Sequence, residues 1–432
     1  MHTTPFRIDV PAEVLDDLAA RLRNTRWPNE AGDGVPGTGP TLPSVRALAE
    51  YWLDGYDWPA EQAALNAVPH LMAEVGGATL HVVHAPSEDA DAVPILLLHG
   101  WADSFVRYRH LIAPLTDASA DVPFHVVVPS LPGFDFSSQP PAGELRAAQI
   151  AQQLGELMSG LGYERFMVHG GDWGSVVAQE VARAFPERVI GMHLTDLPFI
   201  DLFMVDRAEV DDEERAYLEA VDAWGEKDGY YIPVQSHRPL TLSYALSDSP
   251  VGLAAWLRDH FERLATSPIS DDDFLTNVMT YWVAGTIRSS MRLYSEGTEW
   301  DEEGSEWDAG SDADAAWSTD AAPADAAPTD AAWSDAAPST DAAAEGAWGA
   351  GSDDAGGWSL KIDVPTAMQI FPDDIASAPR VFCDRFFDVQ RYTVEAEGGH
   401  FAALEVPEAV VADLRTFAAS LREPSDSALA VG

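Results

Sequence analysis

Residues 166–175 read Phe-Met-Val-His-Gly-Gly-Asp-Trp-Gly-Ser. A short apolar run leads into a glycine pair, then a single Asp172, then the helix-compatible stretch VVAQEVARAFPERV. This is the layout of a nucleophile elbow, a sharp strand-to-helix turn that presents one side chain at the carboxyl end of a sheet. The small flanking residues permit the strained backbone such a turn needs. The presented residue is aspartate, not serine. A carboxylate can attack an sp³ carbon and form an alkyl ester, and the N-terminus of the following helix favours its ionised form. The competing reading is an Asp that only caps that helix. Ser175 falls inside the helix and is the poorer nucleophile.

Working outward, ATLHVVHA (78–85), VPILLLHGW (93–101), FHVVVPSLPGF (124–134), VIGMHLTD (189–196), PTAMQIF (365–371) and VQRYTVEA (389–396) read as further strands. ELRAAQIAQQLGELMSGLG (144–162) and VPEAVVADLRTFAASLR (406–422) read as helices. Near-continuous apolar strands alternating with helices predict an α/β fold with a mostly parallel sheet covered on both faces. Residues 1–75 read as a meander of helix and loop, with Val14, Leu15, Leu18 and Leu22 at helical spacing. The core then comprises 76–196 and 359–432. After Asp196 the alternation stops, and 197–296 reads as a helical lid inserted between two strands.

Between lid and core lies a low-complexity insert, 297–358. Asp320, Asp325, Asp330 and Asp335 recur at a five-residue step, which is neither a helical nor a strand period. Proline interrupts it, and 16 acidic residues meet no basic one from Glu299 to Asp354. That composition reads as disordered. Its six tryptophans would dock parts of it on the fold.

The whole chain carries 71 acidic residues against 25 basic ones, a formal net charge of −46, and only two of the basic residues are lysines, Lys227 and Lys361. Such a surface excludes nucleic-acid binding through a basic patch and adhesion to an anionic membrane. It is similar to that of proteins from salt-accumulating halophiles. At molar salt the Debye length falls to roughly 3 Å, which screens most of the self-repulsion. A single cysteine, Cys383, fits a reducing cytoplasm. The opening MHTTPFRIDV has no signal-peptide pattern, and no apolar run reaches the roughly 20 residues of a membrane span. The expectation is a soluble cytoplasmic protein.

Other strings carry polar groups to the same sheet end. His99-Gly100-Trp101 closes a strand, and the Trp101 N–H with the Trp173 N–H would form a two-donor oxyanion hole. Gly398-Gly399-His400-Phe401 follows the last strand, where His400 can act as general base. Phe371-Pro372-Asp373-Asp374 ends the preceding strand, and one of its carboxylates can orient the imidazole.

Taken together the chain resembles an epoxide hydrolase of the α/β-hydrolase fold, in the branch with a long N-terminal meander that includes microsomal and fungal enzymes. The strings are PFRIDVPAEVLDDLAARLRNTRWP, HGW, PSLPGFDFS, GGDWGS, SDSPVGLAAWL, YWVAGTIRSSMRLY and EGGHFAALEVPE. The resemblance implies Asp172 as nucleophile, His400 as base and Asp374 as its supporting acid. It implies two lid tyrosines that protonate the epoxide oxygen: Tyr294, and Tyr231 with Tyr230 as the neighbouring alternative. It implies a small epoxide as partner, no metal or organic cofactor, a role in detoxification, and is compatible with a homodimer. No counterpart of the microsomal enzyme's N-terminal anchor is expected. Where relatives often read HGW-Pro-Gly, this chain has Ala102-Asp103, which would put a carboxylate near the mouth of the site. The rival readings are a haloalkane or haloacid dehalogenase, which shares the Asp nucleophile but needs halide-binding donors, and a non-catalytic binding protein on the same scaffold.

Overall fold

The computed structural model describes residues 1–29, 38–141, 143, 145–297, 361–372 and 374–422. Nearly all of the low-complexity insert, and Asp373, lie outside the described residues.

Nine strands form one sheet: β1 (His2–Phe6), β2 (His70–Val75), β3 (Ala78–Ala85), β4 (Val93–Leu98), β5 (Phe124–Pro129), β6 (Phe166–Gly170), β7 (Val189–Leu194), β8 (Ile362–Ile370) and β9 (Phe387–Val394). Their spatial order is β1-β2-β3-β5-β4-β6-β7-β8-β9. The first four in that order pair antiparallel, and every pairing from β5 to β9 is parallel. The central strands are apolar and buried along almost their whole length, as parallel strands covered on both faces must be. Helices Ala147–Gly160, Trp173–Ala184 and Pro407–Leu421 each turn an apolar face to this sheet.

The first 75 residues depart from the helix-and-loop expectation. Three helices, Ala12–Arg23, Leu42–Asp54 and Trp58–Leu65, are flanked by β1 and β2. These strands lie at the edge of the sheet, and β1 is almost wholly exposed. Backbone pairing rather than burial of an apolar face holds β1, whereas β2 buries His70, Ala73 and Val75, a short and interrupted apolar set that carries little strand signal.

After β7 the described residues up to 297 are helical or loop. They include helices Asp212–Lys227, Tyr231–His237, Pro250–Leu264 and Asp271–Ala284. The last of these is buried from Phe274 to Tyr281 and packs under the lid against the turn after β4. No helix among the described residues is long and apolar enough to cross a membrane.

The elbow sits where β6 meets helix Trp173–Ala184. Gly174 lets this helix close on β4, because a Cβ there would stand 2.0 Å from the Leu98 carbonyl oxygen. Gly174→Ala must therefore push the helix from the sheet, at a cost of about 3 kcal/mol. The expected result is a lowered thermal midpoint together with lost activity, checked by calorimetry on the purified variant.

Candidate active site

Three loops at the carboxyl end of the parallel strands converge. Asp172 stands at the elbow with φ 57° and ψ −132°. Among the described residues only Asp135 shares a positive φ without being glycine. Non-glycine residues in this region are strained and persist where the surroundings hold them. The holding groups are visible. The Asp172 N–H donates to Asp196 Oδ2 at 2.6 Å, and the Ser175 hydroxyl donates to Asp196 Oδ1 at 2.6 Å.

The Asp172 carboxylate is gripped on both oxygens. Oδ1 accepts the Trp101 N–H at 2.7 Å. Oδ2 lies 3.3 Å from His400 Nε2. Gly100 makes this approach possible, since a Cβ there would fall 2.2 Å from Asp172 Oδ1. The other ring nitrogen, His400 Nδ1, lies 2.7 Å from Asp374 Oδ1, which also accepts the Ile375 N–H at 2.6 Å. Asp172, His400 and Asp374 thus form one hydrogen-bonded line, contributed from after β6, β9 and β8. Trp173, the second expected oxyanion donor, is the first residue of its helix. That position leaves its N–H without an intrahelical partner.

The electrostatics follow from this geometry. Burial alone would lower the basicity of the His400 imidazole, but Asp374 and then Asp172 raise its pKa well above the ordinary histidine value. Burial opposes ionisation of Asp374, yet the His400 charge wins and holds its pKa below the usual carboxylate range. His400 thus lies between two carboxyl groups that favour its charged form. Asp196 is pushed up to about 7, by burial first and by the Asp374 charge next.

An aromatic box roofs the carboxylate. The Tyr231 ring stacks on Trp101 at 5.7 Å between centroids and 17° between planes. Tyr294 meets Tyr231 edge-on at 5.8 Å and Trp173 at 5.4 Å. Burial, then the Asp172 charge, raises the Tyr231 pKa far above the ordinary phenol value. For Tyr294 burial leads, followed by Tyr231 and Asp172. Both phenols therefore keep their protons. Packing distinguishes Tyr230 from Tyr231: Tyr230 is 37% exposed and its hydroxyl bonds Asp259, whereas Tyr231 is 5% exposed and faces the box. His260 packs edge-on to Tyr231 at 4.3 Å, and burial pushes its pKa down to about 4, so it is neutral there.

The cavity over Asp172, Asp196, Asp374 and His400 has apolar walls that include Leu197, Phe199, Val221, Trp224 and Ile375. Ligand atoms of Asp196, Asp374 and His400 lie within 4.8 Å of one another. These groups are already engaged: both Asp196 oxygens accept from the elbow, and Asp374 holds the ring.

Asp103 corrects an expectation. It does not stand at the mouth of the site but is buried beneath the turn, about 1% exposed, paired with Arg107. Its Oδ1 accepts the Gly100 N–H at 2.9 Å. A carboxylate just after HGW gives no sign of this, because the compensating cation lies four residues on and reads as surface charge. Asp196 gives no signal in the sequence either. It follows β7 by two residues, and only the folded sheet sets it beside the elbow.

Known proteins are similar to this chain over nearly its whole length. The family signature "Epoxide hydrolase N terminus" matches residues 3–108, and that of the "alpha/beta hydrolase fold" matches 93–242. A candidate epoxide hydrolase of Stigmatella aurantiaca is 32% identical, covering 97% of this chain and 85% of its own. Epoxide hydrolase 1 of Sus scrofa is 26% identical over 97% and 89% of the two chains. The solved structure of the Aspergillus niger epoxide hydrolase superposes with a TM-score of 0.76 at 26% identity, covering 98% of this chain and 97% of that one. With an aspartate elbow on a mostly parallel sheet, and with relatives matched almost end to end, the chain belongs to the epoxide hydrolase family of the α/β-hydrolase fold.

Proposed function

We propose that the chain hydrolyses an epoxide to a vicinal diol through an ester on Asp172. The observation that carries the reading is the carboxylate held between the Trp101 amide and His400, beneath two phenols that stay protonated. Oδ1 is fixed by the Trp101 N–H, so Oδ2 attacks the ring carbon. The ring C–O bond breaks, and a proton from Tyr231 or Tyr294 passes to the leaving oxygen. The phenols act as donors to the developing alkoxide.

Esterification removes the Asp172 negative charge from beside His400. The imidazole loses one of the charges that raise its pKa and gives up its proton, which restores the phenol that protonated the leaving oxygen and leaves His400 neutral. Neutral His400, oriented by Asp374, then takes a proton from water that attacks the Asp172 carbonyl carbon. The Trp101 and Trp173 amides receive the resulting oxyanion. The tetrahedral intermediate collapses as the bond from the Asp172 carbonyl carbon to the alkyl oxygen breaks. The proton of the new carboxyl passes to the departing alkoxide, and the diol leaves with the oxygen that Asp172 gave it.

A dehalogenase would need halide donors over the carboxylate. Here the Trp101 indole N–H is taken up by Ser290 Oγ at 3.2 Å. The deciding experiment is a product assay with styrene oxide, a terminal alkyl epoxide, a bulky disubstituted epoxide and a chloroalkane. The assay is run in roughly molar KCl, where the surface charge is screened. Diol from an epoxide supports the reading; halide release without diol supports the dehalogenase. The acidic surface fits a salt-rich cytoplasm, and a detoxifying role fits a cavity with apolar walls.

Removing either phenol should slow ring opening. Tyr231→Phe and Tyr294→Phe are each expected to lower the rate of ester formation by about 10²-fold, the usual effect of one oxyanion donor. Ester decay should stay near its original rate in both, as read by rapid-quench single turnover.

A further inference from the structure

The Trp101 amide and His400 sit on separate loops, and one buried guanidinium links them, reaching the first through Asp103 and the second directly. Arg107 Nη1 pairs with Asp103 Oδ2, and the other Asp103 oxygen accepts the Gly100 N–H, one peptide before the Trp101 amide. Arg107 Nη2 donates to the His400 carbonyl oxygen at 2.9 Å. The same nitrogen lies 2.8 Å from where a Cβ on Gly171 would stand, next to the elbow itself. Arg107 and Asp103 are each about 1% exposed.

The surroundings tighten this link. The His400 N–H donates to the Leu264 carbonyl at 2.9 Å, so the residue is held through both its N–H and its carbonyl. The carbonyls of Ala102 and Asp103 accept Asn277 Nδ2 at 2.8 Å and the Tyr281 hydroxyl at 2.6 Å. A buried ion pair is a poor device for stability, because desolvation offsets most of its attraction. Its best use is to fix geometry, and the guanidinium's planar fork can serve two acceptors at once, which an ammonium point charge does less well.

We propose that the Asp103–Arg107 pair is a positioning clamp that sets the Trp101 amide and the His400 ring against Asp172, and that it serves chiefly the ester-hydrolysis half of the reaction. The inference rests on the roles given above to Asp172, Trp101 and His400. Ring opening takes from the clamp only the Trp101 N–H on Asp172 Oδ1, while Asp172 itself and the two phenols are not held by Arg107. Ester hydrolysis depends on the oxyanion amide and the base, and those are the groups the clamp joins.

The test is rapid-quench single turnover with enzyme in excess over styrene oxide, on the wild type and two variants. Asp103→Asn/Arg107→Gln leaves no uncompensated charge, and the shorter amide side chain at position 107 cannot span from position 103 to the His400 carbonyl. Arg107→Lys keeps the charge pair but gives up the second acceptor. In the double variant ester decay should slow by about 30-fold while ester formation changes less than about 3-fold, as expected for displaced rather than deleted catalytic groups. Arg107→Lys should fall between it and the wild type. Equal slowing of both steps, or unchanged decay in both variants, overturns the clamp. If one variant fails to fold, the other still decides. Diol formed by the wild type with no alkyl-enzyme at any time overturns the Asp172 reading instead, a result distinguishable from a wild-type ester whose decay ignores Arg107.

Discussion

Asp172→Ala is expected to lower diol formation by roughly 10⁴-fold or more, as removal of a sole nucleophile does in a site whose groups act as a unit. No other carboxylate among the described residues of the site can stand in. Asp374 is turned to His400 Nδ1, and both Asp196 oxygens face the elbow. The elbow survives the change, because the bonds that hold it come from the Asp172 N–H and from Ser175, not from the carboxylate. Asp172→Asn gives the companion measurement. It removes one of the two negative charges that raise the His400 pKa. The imidazole should therefore titrate at lower pH in Asp172→Asn than in the wild type, as followed by NMR of the ring protons. An unchanged titration contradicts the electrostatic coupling between nucleophile and base.

The second large effect falls on the base. In His400→Gln ring opening can still proceed, since Asp172, Trp101 and the two phenols remain. Water activation is lost, a step that general-base catalysis accelerates by about 10²–10⁴-fold. The enzyme should give one burst of epoxide consumption equal to the enzyme concentration and then stall. Mass spectrometry of a digest should find the adduct on the peptide that carries Asp172. Slow turnover with no adduct would place His400 in ring opening instead. The wild-type ester-decay rate should also rise with pH, since only the neutral imidazole is a base. It should level off above the pKa that His400 has beside an esterified Asp172.

The parallel core is legible in the sequence because its strands are apolar without interruption and bounded by turn residues. β3 reads over its full extent, 78–85, and β4, β5 and β6 begin where their apolar runs begin. β1 is not legible because it is held by backbone pairing rather than by an apolar face, and β2 is not because its buried residues His70, Ala73 and Val75 do not alternate regularly. Asp172 and His400 are legible from chain order, since each follows a strand that ends on the same side of a parallel sheet. That order leaves Asp373 and Asp374 as alternatives for the third member, and the resemblance picks Asp374. What stays hidden are groups defined by tertiary approach. Asp196 and Asp172 are 24 residues apart in sequence and 2.6 Å apart in space. Asp103 reads as a carboxylate near the mouth of the site until Arg107 folds over it. Tyr230 and Tyr231 are chemically alike, and only the bond from Tyr230 to Asp259 shows which one turns away.

The central claim is that the diol takes its new oxygen from Asp172 and not directly from water. The most direct measurement is a single turnover in ¹⁸O-labelled water with enzyme in excess over epoxide, followed by mass spectrometry of both products. The expected result is unlabelled diol, with ¹⁸O in the peptide that contains Asp172. Labelled diol from that first turnover, with an unlabelled Asp172 peptide, would contradict it and make His400 the base for direct attack of water on the ring.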